Sequence, residues 1–436
     1  MRLGLCPATG YSLDLLQAYQ AASTRDASIL SSRANAEAAR ERIPQAYSQL
    51  LPSVSASFGR NQNQLSRSAP GPTGAEVTSE SRYGSSNQTL TLRQPLYRTY
   101  QWAQHKQAKA QVADSDAAQK EDEQNLAVRV TTAYFDVLFA KDQLGIIQSQ
   151  KSANLTYLDA ARKRLAAGAV TRTDADEAQA RVDVTLAQEV EVRQQVDFAL
   201  RQLQTLVGQP VSKVAGLDPA KSILAYPQPN SLDVWIDRAE LNNQQFKSLR
   251  AKVEAARIEI DKAYAGHHPT IDLVAQIARS DSENQNFINS RYTNASLGLQ
   301  LNVPLYAGGS VNSAVRQALA SYRAAEQALE AGRRDLGARV HREFRSRTES
   351  LAKAKALEQS LRSIGQFIIS NQRSLRAGSL TLVDVLNAEQ QKTNVRRDLA
   401  QARYLQMVSG VRLLALVDSA DAASLGAANA LLVVDK

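Results

Sequence analysis

The chain has 436 residues, with 52 Lys and Arg against 43 Asp and Glu, a formal net charge of +9 and a mean hydropathy of −0.35. No run of about 18 apolar residues occurs, which excludes a transmembrane helix but not a transmembrane β-barrel, whose strands are short and only half apolar. The single cysteine, Cys6, excludes a disulfide framework within one chain and any cysteine-based metal cluster. Leu5, before Cys6, is not the small residue that a lipidated cysteine follows, and residues 1–10 are too short and weakly apolar for a signal peptide. The basic residues are scattered at helical spacing among Glu, Asp and Gln, with no Lys/Arg block interleaved with aromatics. They read as solvated helix faces, and no nucleic-acid partner is expected.

In chain order, Ser12 is an N-cap candidate ahead of Leu13, Leu16 and Tyr19, and the spacing predicts one helix to about Tyr47. Pro52 breaks it. Residues 53–60 then alternate with period two, residues 61–86 read as a mobile polar loop, and residues 89–93 alternate again up to Pro95. A long helix is expected over about 102–166. Its positions Leu126, Val130, Ala133, Val137, Ala140, Leu144 and Ile147 form a heptad seam. A turn at Gly168 and a returning helix over about 171–207 come next.

Residues 211–230 form a connector, and the pattern then starts again. Ile271, Leu273, Ala275 and Ile277 alternate with their neighbours, residues 280–292 are polar, and Leu297, Leu299, Leu301 and Val303 alternate in turn. Helices are expected over about 311–376 and 381–417, with Gly378 between them. Residues 419–436 form a tail.

The second half therefore repeats the first. An offset of 210 residues carries Leu165, Gly168, Thr171 and Asp174 onto Leu375, Gly378, Thr381 and Asp384. It also carries Leu126 and Val130 onto Leu336 and Val340, and Leu203 and Val207 onto Leu413 and Val417. Residues 11–210 and 231–418 are read as two copies of one unit. Each alternating run is about 9–12 residues, the length a tilted strand needs to cross a bilayer. Four strands cannot close a barrel, whereas three chains supply twelve, an allowed even number. A helix of about 65 residues is a rod on the order of 100 Å. No single globular core covers it, so lateral packing and oligomerisation are required.

Several segments resemble TolC-family outer-membrane channel proteins. They are residues 265–273 (AGHHPTIDL) and 303–312 (VPLYAGGSVN), together with 377–387 (AGSLTLVDVLN) and 131–138 (TTAYFDVL). The resemblance spans nearly the whole chain, in order and twice over. It implies a mainly α fold with a transmembrane β-barrel: a homotrimer with a twelve-stranded barrel in outer-membrane lipid and a periplasmic α-helical tunnel. It also implies docking on a periplasmic adaptor and an inner-membrane ABC or other transporter. The expected function is an exit duct for type I protein secretion, with drug efflux as the alternative. A soluble coiled-coil scaffold is the rival class, but it leaves the four alternating runs unexplained.

The resemblance also assigns sites. The turns Ala167-Gly168-Ala169 and Ala377-Gly378-Ser379 would be the periplasmic tips that meet the adaptor. Asp384 would form the main ring of the pore constriction, with its repeat mate Asp174 and with Asn387, where the family often has an acidic residue. An arginine latch position falls on Leu380 and a tyrosine latch position on Leu375, so the expectation is a constriction held shut more weakly, or by apolar contacts. For Asp174, an N-cap role with Thr171 competes on equal terms. No catalytic residue, cofactor or metal is expected. No phosphate loop or nucleophile elbow occurs, and the adjacent His267 and His268 point apart on a strand. Trp102 and Trp235 lie near helix starts, where core packing is the expected role and an interfacial belt the alternative.

Overall fold

The computed structural model describes residues 12–72, 74–168, 170–218, 228–282, 290–377 and 379–433. Cys6, Ala169 and Gly378 lie outside the described residues. In chain order the elements are α1 (Leu15–Arg25), α2 (Ala27–Arg40), α3 (Arg42–Ser48), β1 (Ser53–Pro70), β2 (Glu76–Tyr97), α4 (Thr99–Ala166), α5 (Arg172–Val207) and β3 (Gly216–Leu217). They continue with α6 (Leu232–Asn242), α7 (Gln244–Tyr264), β4 (Thr270–Ser282), β5 (Ser290–Asn302), α8 (Ser310–Arg376), α9 (Leu382–Leu416), α10 (Ala422–Asn429) and β6 (Leu432–Val433). Two compact units form. One comprises Met1–Asn35, Asp116–Lys247 and Glu330–Lys436; the other comprises Ala36–Ser115 and Ser248–Leu329. Each unit draws on both halves of the chain.

The helix expected to run unbroken from Ser12 to Tyr47 is three helices. Its first cap is Asp14, not Ser12: the Asp14 side chain accepts from the Gln17 N–H at 2.7 Å. At Asp26 the carboxylate accepts from the Ile29 N–H at 3.0 Å, so a new cap replaces the continuing ladder. The second copy breaks in the same way, where the Asn243 side chain accepts from the Phe246 N–H at 2.9 Å. The break at Glu41 is due to Pro44, which has no N–H for the Arg40 carbonyl and whose ring crowds it.

The first unit is organised around α4. Leu126, Val130, Tyr134, Phe135 and Val137 pack with Leu15, Ala18, Ala22 and Ile29, with Leu203 and Val207, and with Met407 and Val411. Of the heptad seam, Leu126 to Ala140 is buried, while Leu144 and Ile147 are only partly covered. The Tyr134 hydroxyl bonds to the carbonyls of Leu13 and Ala215 at 3.0 and 2.9 Å, and burial raises its pKa. The connector and the tail join this core: β3 pairs with β6, and the Asn429 side chain accepts from the Leu15 N–H at 3.0 Å.

The second unit carries one antiparallel sheet in the order β1-β2-β4-β5. The segment 61–86, expected to be a loop, is strand for most of its length, with β1 and β2 paired from Ser53–Arg93 out to Pro70–Glu76. Ladder bonds satisfy its backbone, and polar pairs such as Asn63–Ser85 at 2.8 Å and Ser68–Thr78 at 2.7 Å replace an apolar face. The reversal is confined to a tight turn in which Gly74 has φ of 82°. The strands are therefore 18, 22, 13 and 13 residues long, not 9–12. Leu297, Leu299 and Leu301 are 73, 70 and 62 % exposed, alternating with Gly298, Gln300 and Asn302. An apolar face bare of protein and two unpaired edges, on β1 and β5, call for lipid on one side and further strands at the ends.

At the base of this sheet Asp272 is 2 % exposed and held by two arginines, Arg93 at 2.6 Å and Arg98 at 2.5 Å. It ties β4 of the second copy to β2 of the first. Asp272→Ala leaves Arg98, 23 % exposed, and the more hydrated Arg93, 46 % exposed, without their carboxylate and is expected to cost about 1–3 kcal/mol. A clear loss of barrel heat resistance, read as the band shift of unboiled protein on a denaturing gel, checks it.

Candidate constriction and docking turns

Both returning helices start with the same local chemistry. In the first hairpin, Gly168 has φ of 70°, a conformation that glycine adopts without strain, and no side chain or backbone lies where its Cβ would be. The returning helix α5 starts at a capping box. The Thr171 hydroxyl accepts from the Asp174 N–H at 3.2 Å, while Asp174 Oδ2 accepts from the Thr171 N–H at 3.0 Å. The second hairpin repeats this, with Asp384 Oδ2 accepting from the Thr381 N–H at 3.0 Å and from its hydroxyl at 2.6 Å. Those bonds hold the Asp384 carboxyl below the usual carboxylate range, the Thr381 side-chain bond being the larger cause. Ala167, Ala377 and Ser379 are exposed at the turns, and the Ser379 N–H bonds back to the Ser374 carbonyl at 3.0 Å.

The carboxylates singled out from the sequence thus both act as helix caps. Asn387 does not stand alone either: it accepts from Arg181 Nη2 at 2.9 Å, and the same nitrogen lies 2.9 Å from Glu177. Arg181 therefore sits between Glu177 and the residue that the 210-residue offset makes its repeat mate. Beneath this polar link lies an apolar cluster of Leu158, Ala161, Ala175, Ala178, Val182, Leu382 and Leu386, flanked by Tyr157, Leu165 and Leu375. Leu375, the expected tyrosine position, is thus part of the packing between the two hairpins.

Sequence reasoning missed Arg181 and three other links between the hairpins. Gln150 bonds to Gln390, Gln372 donates to the Tyr157 hydroxyl at 3.0 Å, and the Tyr404 hydroxyl donates to Asp142 at 2.6 Å. Burial raises the pKa of Asp142. Single polar residues on helix faces gave no signal of their own. Only the Thr-x-x-Asp spacing, a local motif, was readable.

Other candidates resolve simply. Trp235 is buried, its indole donating to the Pro229 carbonyl at 2.9 Å. Trp102 is 53 % exposed, so the core role expected for it is corrected: its helix turns that side of the chain outward. His267 and His268 bond to different partners, Asn312 and Thr99. Among the described residues there is no group of three or more His, Cys, Asp or Glu arranged to hold a metal.

The family model described as "Outer membrane efflux protein" matches the chain twice, over residues 18–209 and 235–418. Proteases secretion protein PrtF of Dickeya chrysanthemi is 31 % identical over 406 residues, covering 92 % of this chain and 87 % of that one. Alkaline protease secretion protein AprF of Pseudomonas aeruginosa is 32 % identical over 407 residues, covering 92 % and 84 %. The Campylobacter jejuni CmeC outer membrane channel superposes with a TM-score of 0.81 over 98 % of this chain and 94 % of that one. At 14 % identity, it shows the shared fold.

The cap makes a pH prediction. Because the folded-state value of Asp384 is lowered, the stability it contributes is complete at neutral pH and is lost as pH falls through that lowered value. Thr381→Val removes the larger cause. Carboxyl titration followed by NMR on the labelled Asp384 should move its midpoint upward, and an unmoved midpoint would show that the cap does not set it.

Proposed function

The chain belongs to the outer membrane efflux protein family, the TolC-type channels, and from that premise we propose that it is the exit duct for a secreted protein. It is an outer-membrane channel with a periplasmic helical tunnel and a strand sheet that contributes to a β-barrel. Conduction, not catalysis, is its activity. Three copies would close twelve strands into one barrel. The turns Ala167-Gly168-Ala169 and Ala377-Gly378-Ser379 would meet a periplasmic adaptor linked to an inner-membrane transporter. Type I secretion is preferred over small-molecule efflux because the two relatives described above are named for protease secretion. The observation that carries the duct itself is the sheet with open edges and a bare apolar face.

In this duct Asp384 is the constriction ring, with Asp174 and Asn387 beside it. Three like carboxylates at a narrow point repel one another and favour cations. Closure rests on apolar packing where the family has an ionic latch, because leucines occupy positions 375 and 380. Leu382 and Leu386 press one hairpin against the other, and Arg181–Asn387 and Gln150–Gln390 set the register. A docked partner that pries the tips apart breaks these contacts and widens the opening.

Single-channel recording of purified protein in planar bilayers tests this. Wild type should give small, cation-selective currents, Asp384→Asn should lose the selectivity, and Leu386→Ala should raise conductance several-fold. Unchanged selectivity in Asp384→Asn would place the constriction elsewhere. Folded protein that never inserts would end the exit-duct reading.

A further inference from the structure

The 210-residue offset lays the helix pair α4–α5 onto the pair α8–α9, but the two seams differ in chemistry. In the second pair, Ser346 meets Ser409 at 2.8 Å, and Arg347 lies over the backbone of Gly410. A Cβ at Gly410 would stand 3.4 Å from the guanidinium carbon and 3.5 Å from Nε and Nη1. The offset carries Arg347 back onto Val137 and Gly410 back onto Leu200. Those two belong to the apolar core of the first unit, Val137 fully buried and Leu200 partly so. The second copy thus sets a long cation against bare backbone where the first has two aliphatic side chains.

That cation is unanswered among the described residues. Arg347 has no hydrogen bond and no ion pair there, and its Nε is shut off from solvent without an acceptor. Desolvation lowers its pKa from the ordinary arginine value, and no neighbouring carboxylate raises it. Arg403, two turns from Gly410 along α9, differs: Glu358 lies 2.8 Å from its Nη2. Between them the seam holds a second idle donor. Gln406, one turn from Gly410, is 2 % exposed, and its Nε2 is buried without an acceptor. The Ser409 hydroxyl donates to the Leu405 carbonyl at 2.6 Å, so its hydrogen is already engaged. Phe344 and Leu351 on α8 and Leu413 on α9 are buried on the same helix faces.

We propose that a small monovalent anion of the chloride class sits in the α8–α9 seam, held by the Arg347 guanidinium and the Gln406 amide nitrogen. Both groups offer hydrogens only, so an acceptor that carries no hydrogens fits them better than water does. The guanidinium has one positive charge, and one negative charge balances it. A buried charge needs such a counterpart, and an arginine binds it through several hydrogens at once. Phe344, Leu351 and Leu413 make shedding of the anion's own water a condition of binding, which favours a weakly hydrated halide. Arg347 is only partly buried, so the anion has a way in. A seam of this kind is tightened by salt, which screens and weakens ordinary surface ion pairs. The site lies within one protomer and stands independently of the exit-duct reading.

Bromide tests it in full-length protein purified in detergent. Crystals in sodium bromide, measured at the bromine absorption edge, should show an anomalous peak within hydrogen-bonding reach of Arg347 and Gln406. Amide hydrogen exchange over residues 343–351 and 402–413 should be about tenfold slower in sodium bromide than in sodium gluconate of equal ionic strength. Arg347→Val combined with Gly410→Leu restores the aliphatic pair of the first copy, so this variant should fold without the anion and exchange equally in both salts. Equal exchange of the wild type in both salts would overturn the site, any bromide peak then marking an adventitious ion only. A salt difference that survives in the double variant would overturn it too, as would an ordered water or the Gln406 carbonyl oxygen against the guanidinium in place of the anion.

Discussion

Helices α4 and α8, of 68 and 67 residues, impose the governing constraint. A helix of that length has no core of its own, and every turn must find cover from a neighbour along about 100 Å. The sequence answers with small residues. Ala133, Ala140, Ala199 and Ala402 are buried, letting helices approach closely on more than one side, while the bulky Tyr134, Phe135 and Tyr404 gather at one level. That level is also where α1, α10 and the connector pack, so the extra elements collect where α4 carries its largest side chains.

Much of this was legible because it is local. The ends of the long helices fall within three residues of expectation, since Gly168 and the Thr-x-x-Asp boxes act on their own neighbours. The strands beyond residue 60 were not legible. Ser, Asn, Gln and Thr alternate no apolar face there, and only the paired backbone makes them strand. The breaks at Asp26 and Glu41 were missed for the opposite reason: helical periodicity continues across both, and a side-chain cap in one case and a proline in the other interrupt the ladder. Asp174 and Asp384 were found by motif. Arg181–Asn387 was not, because two polar residues 206 positions apart declare nothing until the hairpins are packed.

Duplication gives the protein its economy of design and also its asymmetries. The two capping boxes agree to within a few tenths of an ångström, so the two returning helices start alike. The long helices α4 and α8 diverge. Phe135 and its repeat mate Arg345 occupy one structural position with opposite chemistry, one buried and one exposed. A pseudo-symmetric arrangement gains by such divergence, since identical seams would let a helix pair with the wrong neighbour.

In the proposed duct, leucine in place of an ionic latch changes how the constriction would yield. Apolar contact between Leu375, Leu382, Leu386 and the first hairpin scales with buried area and has no preferred direction, so the hairpins can slide before they part. An ion pair would instead be broken by salt or acid. Thr381 holds the Asp384 carboxyl below the ordinary range, which works against the repulsion that like carboxylates would feel in a ring. Asp142, which accepts from the Tyr404 hydroxyl and is pushed the other way by desolvation, stands apart from the leucines. In the proposed duct, then, opening is a mechanical event driven by whatever binds the turns, and the charge that a passing cargo meets is the same in the closed and the open state.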